Sequence, residues 1–157
     1  MDQNIVYKKI ETKEEINGAK RLIIEYLKWL NKDLSYQNIN NEIDNFPEKY
    51  KEPDGAFIVA KFNDSIIGCV GIWKIEEKIC EMKRLYVDDN YKGNGIGKIL
   101  VKKIIEEAKN KNYNKMRLDT INTMETALRI YCNNGFYKIN QYNNNPWENI
   151  VYLEKKL

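Results

Sequence analysis

Histidine is absent from the 157 residues of this chain. Without an imidazole there is no Ser-His-Asp or Cys-His nucleophile, no histidine-ligated zinc and no histidine general base. Chemistry near neutral pH must therefore come from a carboxylate, a tyrosine, a cysteine, a lysine or the backbone. Tyrosine is plentiful, with 11 residues.

Cysteine is scarce as well, with three residues at positions 69, 80 and 132. The odd number and the spacing match no zinc or disulfide framework, which favours reduced thiols in a cytoplasm. No apolar run approaches the roughly 20 residues of a transmembrane helix, and the first ten residues lack the apolar segment of a signal peptide. We therefore expect a cytoplasmic protein that binds neither a metal nor a membrane.

The chain also lacks a large net charge of either sign, because it has 26 basic and 23 acidic residues. A nucleic-acid-binding domain typically has a clustered basic face and a pI above about 9, so we expect no nucleic-acid partner. The length suits one domain on the usual scale of roughly 100–200 residues. No linker or repeat interrupts the chain, and we predict a single domain over residues 1–157.

Hydrophobic periodicity predicts a mixed α/β (α+β) fold. Helical spacing predicts helices over 13–30, 95–111 and 123–134, and a weaker helix that carries Ile39, Ile43 and Phe46 and is capped by Ser35. Thr12 and Glu15 have the spacing of a capping box. Alternation predicts strands at 5–7, 56–62, 66–75, 78–87, 115–120 and 150–157. The strands at 56–62, 66–75 and 78–87 are expected to form an antiparallel meander.

Three of the eight glycines lie at 93, 95 and 97, between a strand and a helix. Glycine lets the backbone approach a ligand, and amides at a helix N-terminus favour an anion such as phosphate. A P-loop is excluded because Ile99 stands where Ser or Thr is required, and Lys98 breaks the dinucleotide-binding pattern. The alternative is a tight strand-to-helix connection without a ligand.

The segment does fit the pattern Gln/Arg-x-x-Gly-x-Gly/Ala from Lys92 to Gly97, with a conservative lysine at its first position. With the segments 80–87 and 127–136, it resembles the GNAT superfamily of acetyl-CoA-dependent N-acetyltransferases. The resemblance spans nearly the whole chain. It implies a mostly antiparallel central sheet flanked by helices, and acetyl-CoA as cosubstrate with no metal.

The resemblance also implies a set of cofactor-binding residues. Amides of Gly93, Asn94, Gly95, Ile96, Gly97 and Lys98 would hold the pyrophosphate of coenzyme A, with added charge from Lys98 and Lys92. The pantetheine arm would pair like an extra strand with the backbone of Leu85, Tyr86 and Val87. Many members have an asparagine three residues before Ala127, where this chain has Met124. We expect Asn122 to substitute for it.

Two residues are candidates for catalysis by direct attack of an amine on the thioester. Tyr131 matches a family position near the sulfur, and a phenol of pKa about 10, above the thiol pKa of about 8.5, can donate a hydrogen bond or a proton to the thiolate. The alternative is that Tyr131 only packs on the sheet. Glu81 could act as a base through a water, or could be a structural carboxylate or an anchor for the acceptor ammonium. Cys132 has no activating group, so an acyl-enzyme is not expected.

The acceptor site is expected in the variable segments. Asp119 could bind a cationic acceptor, and the loop residues Tyr142 and Trp147 are better candidates for contact than Tyr26 and Trp29, whose helical spacing indicates packing. Tyr36 is a further aromatic in this region. These features predict acetylation of a small primary amine, such as an amino acid or a polyamine-like metabolite, by a monomer or homodimer. Acetylation of a protein lysine or N-terminus, and a non-catalytic acyl-CoA-binding module, remain as alternatives.

Overall fold

The computed structural model describes residues 4–31 and 38–157. Its helices are α1 (Lys13–Leu30), α2 (Ile39–Asp44), α3 (Ile96–Asn110) and α4 (Glu125–Asn133). Its strands are β1 (Ile5–Lys9), β2 (Ala56–Phe62), β3 (Ser65–Glu76), β4 (Ile79–Val87), β5 (Lys115–Ile121), β6 (Tyr137–Lys138) and β7 (Ile150–Lys156). The proposed cap Ser35 and the aromatic Tyr36 lie outside the described residues.

The strands form one seven-stranded sheet in the order β1-β2-β3-β4-β5-β7-β6. Every neighbouring pair is antiparallel except β4 and β5, which are parallel and joined through α3. The predicted mixed fold and the meander are therefore confirmed. The sequence missed β6, because two residues are too few to show an alternating pattern.

Helix α1 begins where the capping box predicts. The Glu15 amide donates to Thr12 Oγ1 at 3.1 Å, and the Thr12 amide donates to Glu15 Oε1 at 3.1 Å. Its apolar side, including Leu22 and Ile23, is buried on one face of the sheet together with Val59 of β2. This packing places the C-terminal half of α1 beside β4.

The opposite face of the sheet carries the larger core. The apolar stripe of α3, including Leu100 and Ile104, packs there with Val70 and Met116. Helix α4 adds Tyr131 to the same core and is followed by Gly135 in a left-handed conformation (φ 87°). The two helical layers therefore cover both faces of the sheet.

The parallel strands β4 and β5 separate after a short stretch of pairing. They pair only over Ile79–Glu81 and Lys115–Arg117, after which the sheet opens. On the other edge of β4 the register with β3 shifts near Arg84, which has a left-handed φ of 60°. This combination of a bulge and a split creates an opening through the sheet beside the N-terminus of α3.

Arg84 is held by a buried ion pair. Its guanidinium donates to the two carboxylate oxygens of Glu42 in α2 at 2.7 and 3.1 Å, and the Tyr50 hydroxyl donates to the same carboxylate at 2.8 Å. Burial by itself raises the pKa of Glu42, but the hydrogen bonds and charge of Arg84 outweigh it and lower that pKa. The pair ties α2 to the bulge that borders the opening.

Candidate active site

A cavity of about 70 Å³ lies where β4 and β5 separate. Its walls come from both strands, from the end of α1, from α4 and from the loop before β7. They include Tyr26, Leu30, Met82, Lys83, Arg84, Leu85, Leu118, Asp119, Thr120, Ile121, Met124, Tyr131, Asn145, Trp147 and Ile150. The opening in the sheet therefore brings together residues from opposite faces and from distant parts of the chain.

The glycine loop lies at the start of α3. Gly93 and Gly95 have left-handed φ values of 82° and 77°, and apart from adjacent residues in the chain no atom lies within 4 Å of the position that a Cβ would take at either glycine. Gly95 is the N-cap of α3, so the amides of Ile96, Gly97 and Lys98 have no carbonyl one turn earlier to bind. Open space above free amides fits a phosphate group.

The two lysines that the sequence assigned to this loop are placed differently. Lys98 is exposed in the first turn of α3. Lys92 Nζ lies 2.7 Å from Asp89 Oδ1 and 4.9 Å from the centre of the Trp29 ring. Lys92 is thus already paired on the α1 side, and contact with a phosphate requires it to leave Asp89.

The free edge of β4 follows directly on the last pair with β5. Beyond Glu81, the described residues provide no strand next to 82–87 on the β5 side. Leu85 and Val87 contact the core beneath α3, whereas Tyr86 packs on Tyr26 with ring centres 5.1 Å apart. This edge has the unpaired backbone that an extended ligand can bind as an added strand.

Asn122 is not brought to the cavity. Its side chain is exposed, and its amide donates to the Asn149 carbonyl at 2.8 Å, continuing the pairing of β5 with β7. Met124, at the family's asparagine position, lines the cavity instead. A cofactor contact by Asn122 stays a prediction that the geometry does not support.

Tyr131 is positioned by α4 on the wall of the cavity. Its side chain is 6% exposed, and its ring lies 5.7 Å from that of Phe136. Burial raises the pKa of Tyr131, so the phenol keeps its proton at neutral pH. Tyr26 lines the same cavity from the other face, and burial raises its pKa to about 12. The sequence favoured packing for Tyr26, and in the structure Tyr26 both packs on Tyr86 and lines the cavity.

A larger cleft of about 510 Å³ adjoins the cavity, because Lys83 lines both. It lies on the sheet face that carries Trp73 and Glu81. Its other lining residues are Lys49, Ile75, Glu76, Arg117, Tyr142, Asn143 and Asn144. The cleft therefore combines three cations, two carboxylates and two aromatic rings.

Glu81 is 6% exposed, and both of its carboxylate oxygens accept a hydrogen bond. Trp73 Nε1 donates to Oε1 at 2.8 Å, and the Tyr142 hydroxyl donates to Oε2 at 2.5 Å. Burial and the adjacent Glu81 charge raise the pKa of Tyr142, which stays a donor. The predicted catalytic residue Glu81 and the predicted acceptor residue Tyr142 are thus in direct contact.

Asp119 organises the loop between β6 and β7. Its Oδ2 accepts from Asn143 Nδ2 at 2.7 Å and from Asn145 Nδ2 at 3.3 Å, and the Trp147 amide donates to Asn145 Oδ1 at 2.9 Å. The asparagines that mark this segment as a loop therefore tie it to the site. They bring Tyr142 and Trp147 to the cleft and the cavity, respectively.

Lys83 is the functional candidate that the sequence did not reveal. It is 7% exposed, burial lowers its pKa, and its Nζ lies 5.3 Å from the centre of the Trp73 ring. The available signal was its position two residues after Glu81, which puts both on one face of β4. In a lysine-rich chain that signal is weak.

The described residues contain no group of three or more His, Cys, Asp or Glu side chains that could hold a metal ion. No helix in residues 4–31 and 38–157 has the length and apolar character needed to cross a membrane.

The model of the acetyltransferase (GNAT) family matches residues 22–136. The chain belongs to this family. An uncharacterized N-acetyltransferase of Schizosaccharomyces pombe is 35% identical, with 98% of this chain and 96% of that protein covered. An uncharacterized N-acetyltransferase of Dictyostelium discoideum is 32% identical, with 98% and 100% covered. The GNAT assignment makes the chain an acetyl-CoA-dependent acyltransferase.

Solved acetyltransferase structures share the fold. An acetyltransferase of Streptococcus agalactiae superposes with a TM-score of 0.82 at 20% identity, covering 99% of each chain. The PaiA N-acetyltransferase of Thermoplasma acidophilum, solved in complex with coenzyme A, superposes with a TM-score of 0.73 at 22% identity, covering 98% of this chain and 99% of that one. The predicted GNAT-like fold is confirmed.

Proposed function

We propose that this GNAT protein moves the acetyl group of acetyl-CoA to the primary amine of a small molecule by direct attack. The observation that carries the proposal is the opening between β4 and β5. The free edge of β4 and Tyr131 line it, Gly97 at the start of α3 lies near Val87 and Ile130, and a polar cleft adjoins it. These are the parts needed to bring a thioester and an amine together.

The residues present fit coenzyme A. Amides of Gly93 to Lys98 are available for its pyrophosphate, with Lys98 adding positive charge at the exposed start of α3. The backbone of Leu85, Tyr86 and Val87 would bind the extended pantetheine arm. An amide of Leu85 or Tyr86 is also the candidate donor to the carbonyl oxygen as negative charge develops there.

The chemistry exchanges one bond for another. The amine nitrogen forms a bond to the carbonyl carbon, the bond from that carbon to sulfur breaks, and sulfur leaves as a thiolate. Burial raises the pKa of Tyr131, so its phenol is protonated at neutral pH and donates a hydrogen bond or its proton to the thiolate. Where the proton is transferred, solvent then restores the phenol.

The acceptor must lose a proton before it attacks. Glu81 lines the cleft and Asp119 lines the adjoining cavity, and both accept hydrogen bonds from neutral donors. Such carboxylates can anchor the ammonium, and Glu81 can also act as the base that takes the ammonium proton through a water. In this proposal Tyr142 orients the Glu81 carboxylate, and Trp147 forms part of the wall of the adjoining cavity.

The size of the cleft supports a small acceptor. Its volume of about 510 Å³ lies within the roughly 300–1,000 Å³ of small-molecule sites. The loop held by Asp119 covers one side of it, which leaves less room for a protein surface. Acetylation of a protein lysine or N-terminus would need more open space around the same opening, so that a protein surface could reach it.

The proposal is tested by thiol release from acetyl-CoA with a panel of small amines and lysine peptides, followed by mass analysis of the products. We expect small amines to be acetylated and Tyr131→Phe to lower kcat by about 10²-fold or more, with little change in the affinity for acetyl-CoA. Tyr137→Phe, which alters an exposed tyrosine, is the matched control. Unchanged kcat in Tyr131→Phe would remove Tyr131 from the mechanism, and acetylation of peptides alone would overturn the small-molecule assignment.

Binding of the cosubstrate has its own readout. Acetyl-CoA at 100 times its Kd is expected to stabilise the protein by about 2.7 kcal/mol through linkage, seen as a rise in Tm. No rise at millimolar acetyl-CoA would contradict the assigned cofactor residues.

A further inference from the structure

A series of contacts in the cleft ends on the Glu81 carboxylate. Trp73 of β3 lies directly opposite Glu81 of β4 in the register of the sheet, and its Nε1 donates to Glu81 Oε1 at 2.8 Å. Residues opposite each other in an antiparallel pair project from the same face, which places the indole beside the carboxylate. The pairing of β3 with β4 therefore sets the distance between this donor and its acceptor.

The indole ring of Trp73 is held in turn by Tyr50. The two rings stack, with centres 5.3 Å apart and planes inclined by 25°. The Tyr50 ring occupies the space beside Gly71, where a Cβ would lie 2.6 Å from two of its ring carbons. The Tyr50 hydroxyl donates to the buried carboxylate of Glu42 at 2.8 Å. Trp73 thus stacks on a ring that the backbone of β3 and a buried hydrogen bond both keep in place.

A second donor reaches Glu81 from the loop before β7. The Tyr142 hydroxyl donates to Glu81 Oε2 at 2.5 Å. The centre of the Tyr142 ring lies 5.7 Å from that of Tyr152 and 5.5 Å from Arg117 Cζ. Each carboxylate oxygen of Glu81 therefore has its own donor, and the two donors come from different elements. Together they define both the position and the plane of the carboxylate.

Neither donor can take up a proton in place of Glu81. An indole N–H donates and does not accept. Burial and the Glu81 charge raise the pKa of Tyr142, so its hydroxyl keeps its proton at neutral pH. Trp73 and Tyr142 can therefore orient the carboxylate, whereas binding or deprotonating an ammonium group is left to Glu81.

We propose that Trp73 is a positioning residue whose indole N–H, together with the Tyr142 hydroxyl, holds the Glu81 carboxylate in the orientation from which it contacts the amine of the acceptor. This inference rests on the proposed function and extends the machinery around the acceptor to β3. The role is the same whether Glu81 anchors the ammonium or takes its proton, because both tasks need the carboxylate at a defined place.

The test is a double-mutant cycle in which thiol release gives kcat/KM. Trp73→Phe keeps a ring that can stack on Tyr50 and removes the donor to a charged group, so kcat/KM should fall about tenfold. In the Glu81→Gln background the same change should lower kcat/KM by less than about twofold, because the carboxylate that Trp73 positions is gone. A merely structural role would lower kcat/KM by the same factor in both backgrounds.

Two further variants separate positioning from stability. Tyr50→Phe is the matched control, because it keeps the stacked ring and loses only the hydroxyl that donates to Glu42. Its Tm should fall while kcat/KM stays within about twofold of wild type. Tyr142→Phe should show the same coupling to Glu81→Gln as Trp73→Phe does. Unchanged kcat/KM in Trp73→Phe, or equal factors in the two backgrounds, would overturn the inference while leaving the proposed function intact.

Failure of the proposed function has a different signature, namely no thiol release with any small amine. If a lysine peptide is acetylated instead, the cycle is run with that peptide and interpreted in the same way. If no acceptor is acetylated, NMR of the indole N–H groups decides. The Trp73 signal, identified by its loss in Trp73→Phe, should exchange with water more slowly than that of exposed Trp29, and Glu81→Gln should shift it and speed its exchange. A Trp73 signal unchanged in Glu81→Gln would overturn the inference.

Discussion

The buried pair between Glu42 and Arg84 offers a prediction about stability that the structure makes quantitative. The side chains of Glu42 and Arg84 are 2% and 5% exposed, and the guanidinium binds both oxygens of the carboxylate. Glu42→Gln keeps the shape but leaves the buried Arg84 charge without a counter-charge. Breaking a buried pair in this way costs about 3–5 kcal/mol, and at about 2–4 °C per kcal/mol for this chain length Tm should fall by roughly 6–20 °C.

The same pair predicts a dependence on pH. Because the pKa of Glu42 is lower in the folded state than in the unfolded chain, the pair's stabilisation is complete above the unfolded pKa of about 4.3. It is lost as the pH falls through the folded pKa. The difference in unfolding free energy between wild type and Glu42→Gln should therefore be constant near neutral pH and shrink only in acid.

Urea unfolding at pH 7 and thermal melts measure both effects. Glu48→Gln is the matched control, because Glu48 lies six residues later in the chain, is exposed and pairs with Lys51, so its loss should lower the unfolding free energy by less than about 1 kcal/mol. The double variant Glu42→Leu with Arg84→Met should lose less stability than the sum of its single changes. An unfolding free energy of Glu42→Gln within 1 kcal/mol of wild type would refute the reasoning.

Two further predictions concern the start of α1 and the glycine loop. Burial alone raises the pKa of Glu15, but hydrogen bonds from Lys8 and from backbone amides outweigh it and lower that pKa to about 2. Glu15→Gln should therefore lower the unfolding free energy by up to about 3 kcal/mol at pH 7. The loss should shrink as the pH falls from 4.5 toward 2, and a gap independent of pH in urea titrations would contradict it. Because Gly95 has a left-handed φ of 77°, Gly95→Ala should lower the unfolding free energy in the same assay by about 1–2 kcal/mol. A Cβ at Gly97 would meet side chains only at 3.6 Å or beyond, so Gly97→Ala should not destabilise the fold. Equal losses in the two alanine variants would argue against the backbone explanation.

The elements that the sequence predicted well are those whose signals are local. The capping box at Thr12 and the helical stripe of α3 place both helices to within a residue or two. Strands β2 and β5 follow from their apolar residues, and the glycine loop follows from its composition. Each of these signals depends on neighbours within one or two turns, so no tertiary contact is needed to recognise it.

The site depended on contacts between distant residues. The hydrogen bond from Tyr142 to Glu81 joins positions 61 apart in the chain, and the pair of Arg84 with Glu42 joins positions 42 apart. Nothing in the sequence near Lys83 or Trp73 indicates that they share a cleft. Likewise, the partners of Asn122 and Lys92 in the structure, Asn149 and Asp89, could not be identified from the sequence.

The sequence by itself determined which chemistry is available to this protein. The absence of histidine leaves a carboxylate and a phenol as the groups for acid and base work, and the glycine loop predicts where an anion binds. Only the tertiary structure decided how these groups combine, because the opening between β4 and β5 depends on a change in strand pairing. The buried charged side chains around this opening are held by partners from other elements, and burial removes the water that would otherwise screen their charges.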